Sequence, residues 1–222
     1  MNNVIKEISQ RSKKEIFDRL ENGVRLQLSE PSIDPSVHIV QTDNPLEEAK
    51  TKMRDNKFEV HEVNGLDAVY DEINKITASY GYESLIYPEG LSIDVEKVNA
   101  SKKICFNKPI EELRKEVFHT EFSIIDVAFA ISSHGIACVK SSAKQPRMLS
   151  LAPTLCIMLL DKTKIEKSLA TGLAKITAEC KEKNEPLPTN ILYIAGPSRT
   201  ADIELITVFG VHGSQKVHII FY

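Results

Sequence analysis

Short apolar runs alternate with stretches whose apolar positions recur every third or fourth residue through most of this chain. Runs at 37–41 (VHIVQ), 57–63 (KFEVHEV), 84–88 (SLIYP), 102–106 (KKICF), 154–160 (TLCIMLL) and 216–222 (KVHIIFY) read as strands. Residues 45–55, 66–79 and 109–118 carry the helical spacing, and Asn44 with Pro45 makes a good N-cap and first helical residue. Alternation of this kind predicts βαβ units and a parallel sheet. The wholly apolar 154–160 run predicts a strand covered on both faces. Asp161 is then placed to cap a helix over 164–182, which Pro186 and Pro188 end.

Two segments depart from that rhythm. Apolar runs at 127–131 and 136–139 flank Ser132-Ser133-His134-Gly135, which predicts a hairpin or bulged pair. His134 is there either a turn residue or a proton-transfer group. On a strand, Ser133 and His134 would point to opposite faces and could not pair. At the other end of the chain, residues 3–22 read as a helix with Val4, Ile5, Ile8, Ile16, Phe17 and Leu20 on one face. Residues 23–35 carry two prolines and many polar residues, so they read as an irregular connection. The expected organisation is an N-terminal helical arm and linker over 1–35 and an α/β domain over 36–222. The arm either packs on its own domain or docks on a partner.

The stretch 191–213 (ILYIAGPSRTADIELITVFGVHG) carries the candidate chemistry. It reads as a buried strand over 191–195, a Gly196-Pro197-Ser198 turn, and a helix from Arg199 with Ile203, Ile206 and Phe209 inward and Gly210 just past its end. The first N–H groups of such a helix welcome an anion, with Ser198 as N-cap. Arg199 opposes the helix dipole, so it either holds a carboxylate or phosphate or pairs with Asp202. His212, in the loop between Gly210 and Gly213, is either an exposed capping residue or part of a site.

Charge narrows the function. A net charge of -3 from interspersed acids and bases gives no basic face for nucleic acid or an anionic membrane. No apolar run is long enough to span a bilayer, and the charged, amphipathic start is unlike a signal peptide, so a cytoplasmic location is expected. The cysteines at 105, 138, 156 and 180 are scattered, with no C-x-x-C pair. No metal or cofactor bound by this chain is therefore expected. The first three read as core residues and Cys180 as exposed.

The run GPSRTADIE at 196–204, followed by GVHG at 210–213, closely resembles the C-terminal signature of the lactate utilisation protein C family, the LUD domain. The resemblance continues through Arg147, Ser150, Leu151 and Pro153. It implies a three-layer α/β/α sandwich with a mainly parallel sheet, like the sugar-phosphate isomerase, ribose-phosphate isomerase and CoA transferase fold. It also implies a component of bacterial L-lactate oxidation to pyruvate, an accessory or ligand-binding subunit beside two iron–sulfur proteins that carry the clusters. Gly196, Ser198, Arg199, Thr200 and Arg147 become the ligand-binding set, the two arginines clamping a carboxylate or phosphate. Where the family has Glu, Thr and Thr near its Ala-Glu-Thr-Gly-Thr motif, this chain has Ser133, His134 and Ile136, and only Gly135 is kept. Without that acid, His134 and His212 are the catalytic candidates. The alternative is a freestanding isomerase or acyl/CoA-transferase-type enzyme on a small anionic substrate.

Overall fold

A computed structural model describes residues 2–21, 42–201 and 207–222. The chain forms two compact units, Met1–Asp34 and Pro35–Tyr222. In the first, α1 (Asn2–Glu21) is a single helix, with Lys13 Nζ 5.9 Å from the Phe17 ring centre. The strand expected at 37–41 lies outside the described residues.

The second unit is built on β1 (Glu59–Glu62), β2 (Ser84–Pro88), β3 (Lys102–Phe106), β4 (Phe122–Asp126), β7 (Leu155–Leu160) and β12 (Lys216–Phe221). They form one six-stranded sheet in the order β1-β12-β7-β4-β2-β3, with every neighbouring pair parallel. Period-2 alternation splits the central strand between two cores. Cys156, Met158 and Leu160 face α2 (Pro45–Asp55) and α4 (Ile110–His119) through Met53, Leu113 and Val117. Leu155, Ile157 and Leu159 face α3 (Leu66–Tyr80) through Val69, Ile73 and Ile76. All six residues of β7 are buried, as their apolar run requires. Asn44 caps α2 by accepting from Glu47 N at 3.2 Å, with Pro45 at the first turn.

The departure at 127–139 supplies two strands of a second, four-stranded sheet in the order β8-β5-β6-β9, made of β5 (Phe129–Ile131), β6 (Ile136–Lys140), β8 (Ile165–Glu166) and β9 (Ile191–Ile194). The expected hairpin is β5–β6, closed by a 3-10 turn over Ser132–His134. Two expectations change here. The helix drawn over 164–182 begins only as α5 (Leu169–Glu182), because Asp161 spends its carboxylate on a turn, accepting from Thr163 N at 2.9 Å and Oγ1 at 2.7 Å. Ser168 caps the helix instead, in a box with Thr171, which frees Ile165–Glu166 to pair with β5.

The helix drawn from Arg199 is replaced as well. β10 (Arg199–Ala201) and β11 (Thr207–Phe209) form an antiparallel pair, Arg199 opposite Phe209 and Thr200 opposite Val208. Thr200, Thr207 and Val208 are β-branched and suit strands better than a helix. Asp202, Ile203, Glu204 and Ile206 lie outside the described residues. β9 is also half-buried rather than buried, with Tyr193 exposed at the edge of its sheet. Of the cysteines, Cys138 and Cys156 are buried, while Cys105 and Cys180 are both partly buried.

One partly buried polar chain, with His218 at its buried centre, ties β1, β12 and α3 together. Glu72 Oε1 lies 2.6 Å from His61 Nδ1, His61 Nε2 lies 2.8 Å from His218 Nδ1, and His218 Nε2 lies 2.9 Å from the Tyr80 hydroxyl. Burial first, then His61 and Lys216, hold His218 down to about 4. An unfolded histidine titrates near 6.5, so between about 6.5 and 4 the unfolded chain binds a proton that the folded one refuses. Stability therefore falls as pH drops through that window, by about 2 kcal/mol from this group between about pH 7 and pH 5. Urea unfolding at the two values checks this, and His218→Gln should flatten the difference; an unchanged slope would assign the acid sensitivity elsewhere.

Candidate functional site

The segments that carry the family resemblance meet at one corner, and hydrogen bonds along the backbone bring them together. Ser198 N donates to Ser214 O at 3.0 Å, Gly210 N donates to Ser198 O at 3.0 Å, and His212 N donates to Ser198 Oγ at 3.3 Å. Ser214 Oγ donates in turn to Ser150 O at 3.2 Å and Pro153 O at 2.8 Å. The GPSR turn, the GVHG loop and the Ser150–Pro153 segment thus share one knot. Beside it opens a cavity of about 370 Å³, lined by residues including Ser150, Tyr193, Gly196, Ser198, Arg199 and His212.

Two glycines close this corner onto the end of α2. β6 and β9 are antiparallel with Ala137 opposite Ile194, so Gly135 and Gly196 leave the ladder side by side. Gly196 has φ +89°, and a Cβ there would overlap the carbonyl oxygen of Asn56. Gly135 has φ +61°, and a Cβ there would lie 2.5 Å from Met53 N. Asn56 Nδ2 donates to His134 O at 2.7 Å and Gly135 O at 3.0 Å, locking the 3-10 turn to the same helix end. The two glycine motifs are far apart in sequence and share one helix terminus in space.

The individual candidates fare differently. With β10 in place of a helix, no helix among the described residues begins at Ser198, and Thr200 sits in the β10–β11 ladder. Arg199 is exposed and bends back, Nη2 donating to Ala195 O at 3.0 Å. Arg147, also exposed, begins a 3-10 turn and points Nη1 at Asn190 Oδ1, 3.4 Å away. Asn190 and Ala195 bracket β9, and a strand rises about 3.3 Å per residue, so the two guanidiniums are anchored roughly 15 Å apart. They do not form a clamp on one small anion. His212 stands at the cavity rim and is exposed, and His134 is exposed on its turn.

Ser133 and His134 do pair, contrary to strand geometry. Their turn is 3-10, not extended, and Ser133 Oγ lies 2.7 Å from His134 Nδ1. Among the described residues no carboxylate pairs with His134, the partner that would hold the imidazole of a nucleophile's base from its other side.

A second cavity, about 600 Å³, opens where the parallel strands end, with Pro88 of β2, Asp126 of β4 and Leu159 of β7 at its base. Burial pushes the Asp126 carboxyl up, against the Ser92 hydroxyl and N–H that bond it at 2.5 and 3.0 Å. The sequence signal for it was an acid closing an apolar run, and Lys175, Glu179 and Lys183 at i, i+4 and i+8 of one helix. Among the described residues, no group of three or more His, Cys, Asp or Glu could hold a metal ion, and no helix is long and apolar enough to cross a membrane.

Residues 46–222 match the model of the LUD domain family. Uncharacterized protein NMB1437 of Neisseria meningitidis is 33% identical over 122 residues, 53% of this chain and 49% of that protein. Uncharacterized protein YkgG of Escherichia coli is 37% identical over 93 residues, 42% of this chain and 40% of that protein. Lactate utilization protein C of Bacillus subtilis is 32% identical over 106 residues, 48% of this chain and 44% of that protein. This chain thus spans less than half the length of each of these relatives. A solved DUF162 family protein from Deinococcus radiodurans has the same fold, with a TM-score of 0.55 at 18% identity over 80% of this chain and 95% of that one.

Proposed function

This chain belongs to the LUD domain family, and from that premise we propose that it serves bacterial lactate utilisation as an accessory, anion-binding subunit beside two iron–sulfur proteins. The observation that carries the reading is its similarity to proteins named lactate utilization protein C. The clusters that oxidise lactate belong, on this reading, to the partners. This chain contributes a small-carboxylate site at the GPSR corner, where Arg199 releases Ala195 O and turns toward the carboxylate, with His212 at the rim. Arg147, roughly a strand's length away, takes no part in that contact.

The test is a strain lacking the gene, grown on L-lactate and complemented with the wild-type chain or with Arg199→Ala. Growth should fail without the gene and return only with the wild-type chain. A tagged chain purified without oxygen should bring down proteins with iron–sulfur absorbance that reduce a dye with lactate. Normal growth of the Arg199→Ala strain would remove the corner as the ligand site, and normal growth of the deletion strain would remove the lactate role.

The competing reading, a freestanding enzyme on a small anionic substrate, rests on the Ser133–His134 hydrogen bond. It requires turnover by the purified chain alone that His134→Ala abolishes. No turnover by the purified chain would end it, and turnover unaffected by His134→Ala and His212→Ala would remove both histidines from the mechanism.

A further inference from the structure

The crevice at the carboxyl ends of β2, β4 and β7 lies where open parallel sheets receive ligands. It is separate from the GPSR corner, and no residue lines both. Its walls are cationic: Lys140 closes β6, Lys144 follows it, Lys164 follows β7, Lys175 projects from α5 and Lys183 caps that helix's end. Against these five lysines stand Glu89, Asp126 and Glu179, so the lining keeps an excess of positive charge. Lys140 is held by Glu179 at 3.0 Å and Lys175 by Glu166 at 2.7 Å, which fixes the direction of both stems. Lys164 and Lys183 are exposed, and Lys164 reaches its nearest acid, Asp161, only at 3.9 Å.

The rest of the lining gathers polar groups around Asp126. Ser92 is fixed to Asp126, Gln145 Nε2 donates to Asp126 O at 3.0 Å while its Oε1 accepts from Asp126 N at 3.1 Å, and Tyr222 completes that side. Val127 and Leu159 make an apolar floor. From this arrangement we propose that the crevice binds a small phosphorylated molecule, its phosphate between Lys164 and Lys183 and its hydroxylated body against Ser92, Gln145 and Asp126. Lysines suit a phosphate as freely oriented point charges, and the excess charge matches a dianion better than the single charge of a monocarboxylate. The volume is that of a metabolite site. Asp126, whose two carboxyl oxygens accept from Ser92, is placed to accept from a ligand hydroxyl as well.

The experiment is calorimetric titration of the full chain with glycerol 3-phosphate, inorganic phosphate, succinate and L-lactate, repeated on Lys164→Ala, Lys183→Ala and Arg199→Ala. Both lysines are exposed, so thermal melts should show all three variants folded. Glycerol 3-phosphate should bind the wild type more tightly than succinate does. Each lysine variant should bind it about tenfold more weakly, the loss of one charge-assisted contact, and Arg199→Ala should bind it unchanged. The proposal is overturned if neither phosphate compound binds, if succinate binds as well as glycerol 3-phosphate, if the lysine variants bind normally, or if Arg199→Ala weakens binding equally. Because growth on lactate reports the other corner, each assignment can fail alone.

Discussion

Gly196→Ala lowers the unfolding free energy by about 4 kcal/mol, at least twice the cost of the same change at Gly81. Both glycines have positive φ, +89° and +69°, where an L side chain costs about 1–2 kcal/mol. At Gly81, which ends α3 in the left-handed conformation, a Cβ meets nothing within 4 Å, so that strain is the whole cost. At Gly196 the new methyl collides with the Asn56 carbonyl, which is backbone and cannot rotate away. Relief requires α2 to move from the β6–β9 edge, breaking the Asn56 bonds to His134 and Gly135. The collision and the lost contacts place the change among the largest single-site effects. Urea unfolding of the two variants checks this. Equal losses at Gly81 and Gly196 would show that backbone freedom, not the close approach of α2, is what the Gly196-Pro197-Ser198 turn needs.

Phe129→Ala costs about 3–5 kcal/mol, and most of what Gly172→Ala costs should vanish in its presence. The Phe129 ring is 2% exposed and packs with Ile131, Cys138 and Ile176, the cluster that holds α5 against the second sheet. Gly172 sits in the first turn of α5, and a Cβ there would lie 2.5 Å from the ring's Cε2. In an open helix alanine would gain about 1 kcal/mol over glycine. Here overpacking outweighs that gain, and Gly172→Ala alone should lose about 1–3 kcal/mol. With the ring removed, the methyl enters the space left behind, giving a coupling of about 2 kcal/mol in a double-mutant cycle. Additive losses would mean that the glycine is there for some other reason. The packing also bears on function, because α5 carries Lys175 and Lys183 to the crevice. Phe129→Ala should therefore weaken glycerol 3-phosphate binding under conditions where the protein is still folded.

How much of the site could be read in advance differs from motif to motif. The GPSR and GVHG segments were recognisable as neighbours in function, and Ser198 does join them in space. The helix between them was misread. Two three-residue strands are too short to show a period of two, and Ile203, Ile206 and Phe209 at three-residue spacing look helical. The Ser133–His134 bond was missed for a related reason: alternation applies to extended backbone, and those two residues occupy a 3-10 turn.

Periodicity and capping alone determined the larger plan. The short apolar runs identify β2, β3, β7 and β12, Asn44-Pro45 starts α2, and the buried character of β7 follows from its lack of any polar residue. These signals are local, since each is set by which faces of one element must leave water. Only the tertiary structure decided which loops share a corner. That Gly135 and Gly196 close on the same end of α2, that Arg147 and Arg199 stand at opposite ends of β9, and that five lysines surround the end of β4 all depend on strand order and register. Register is fixed by packing between elements distant in sequence, and no periodicity within one segment carries it.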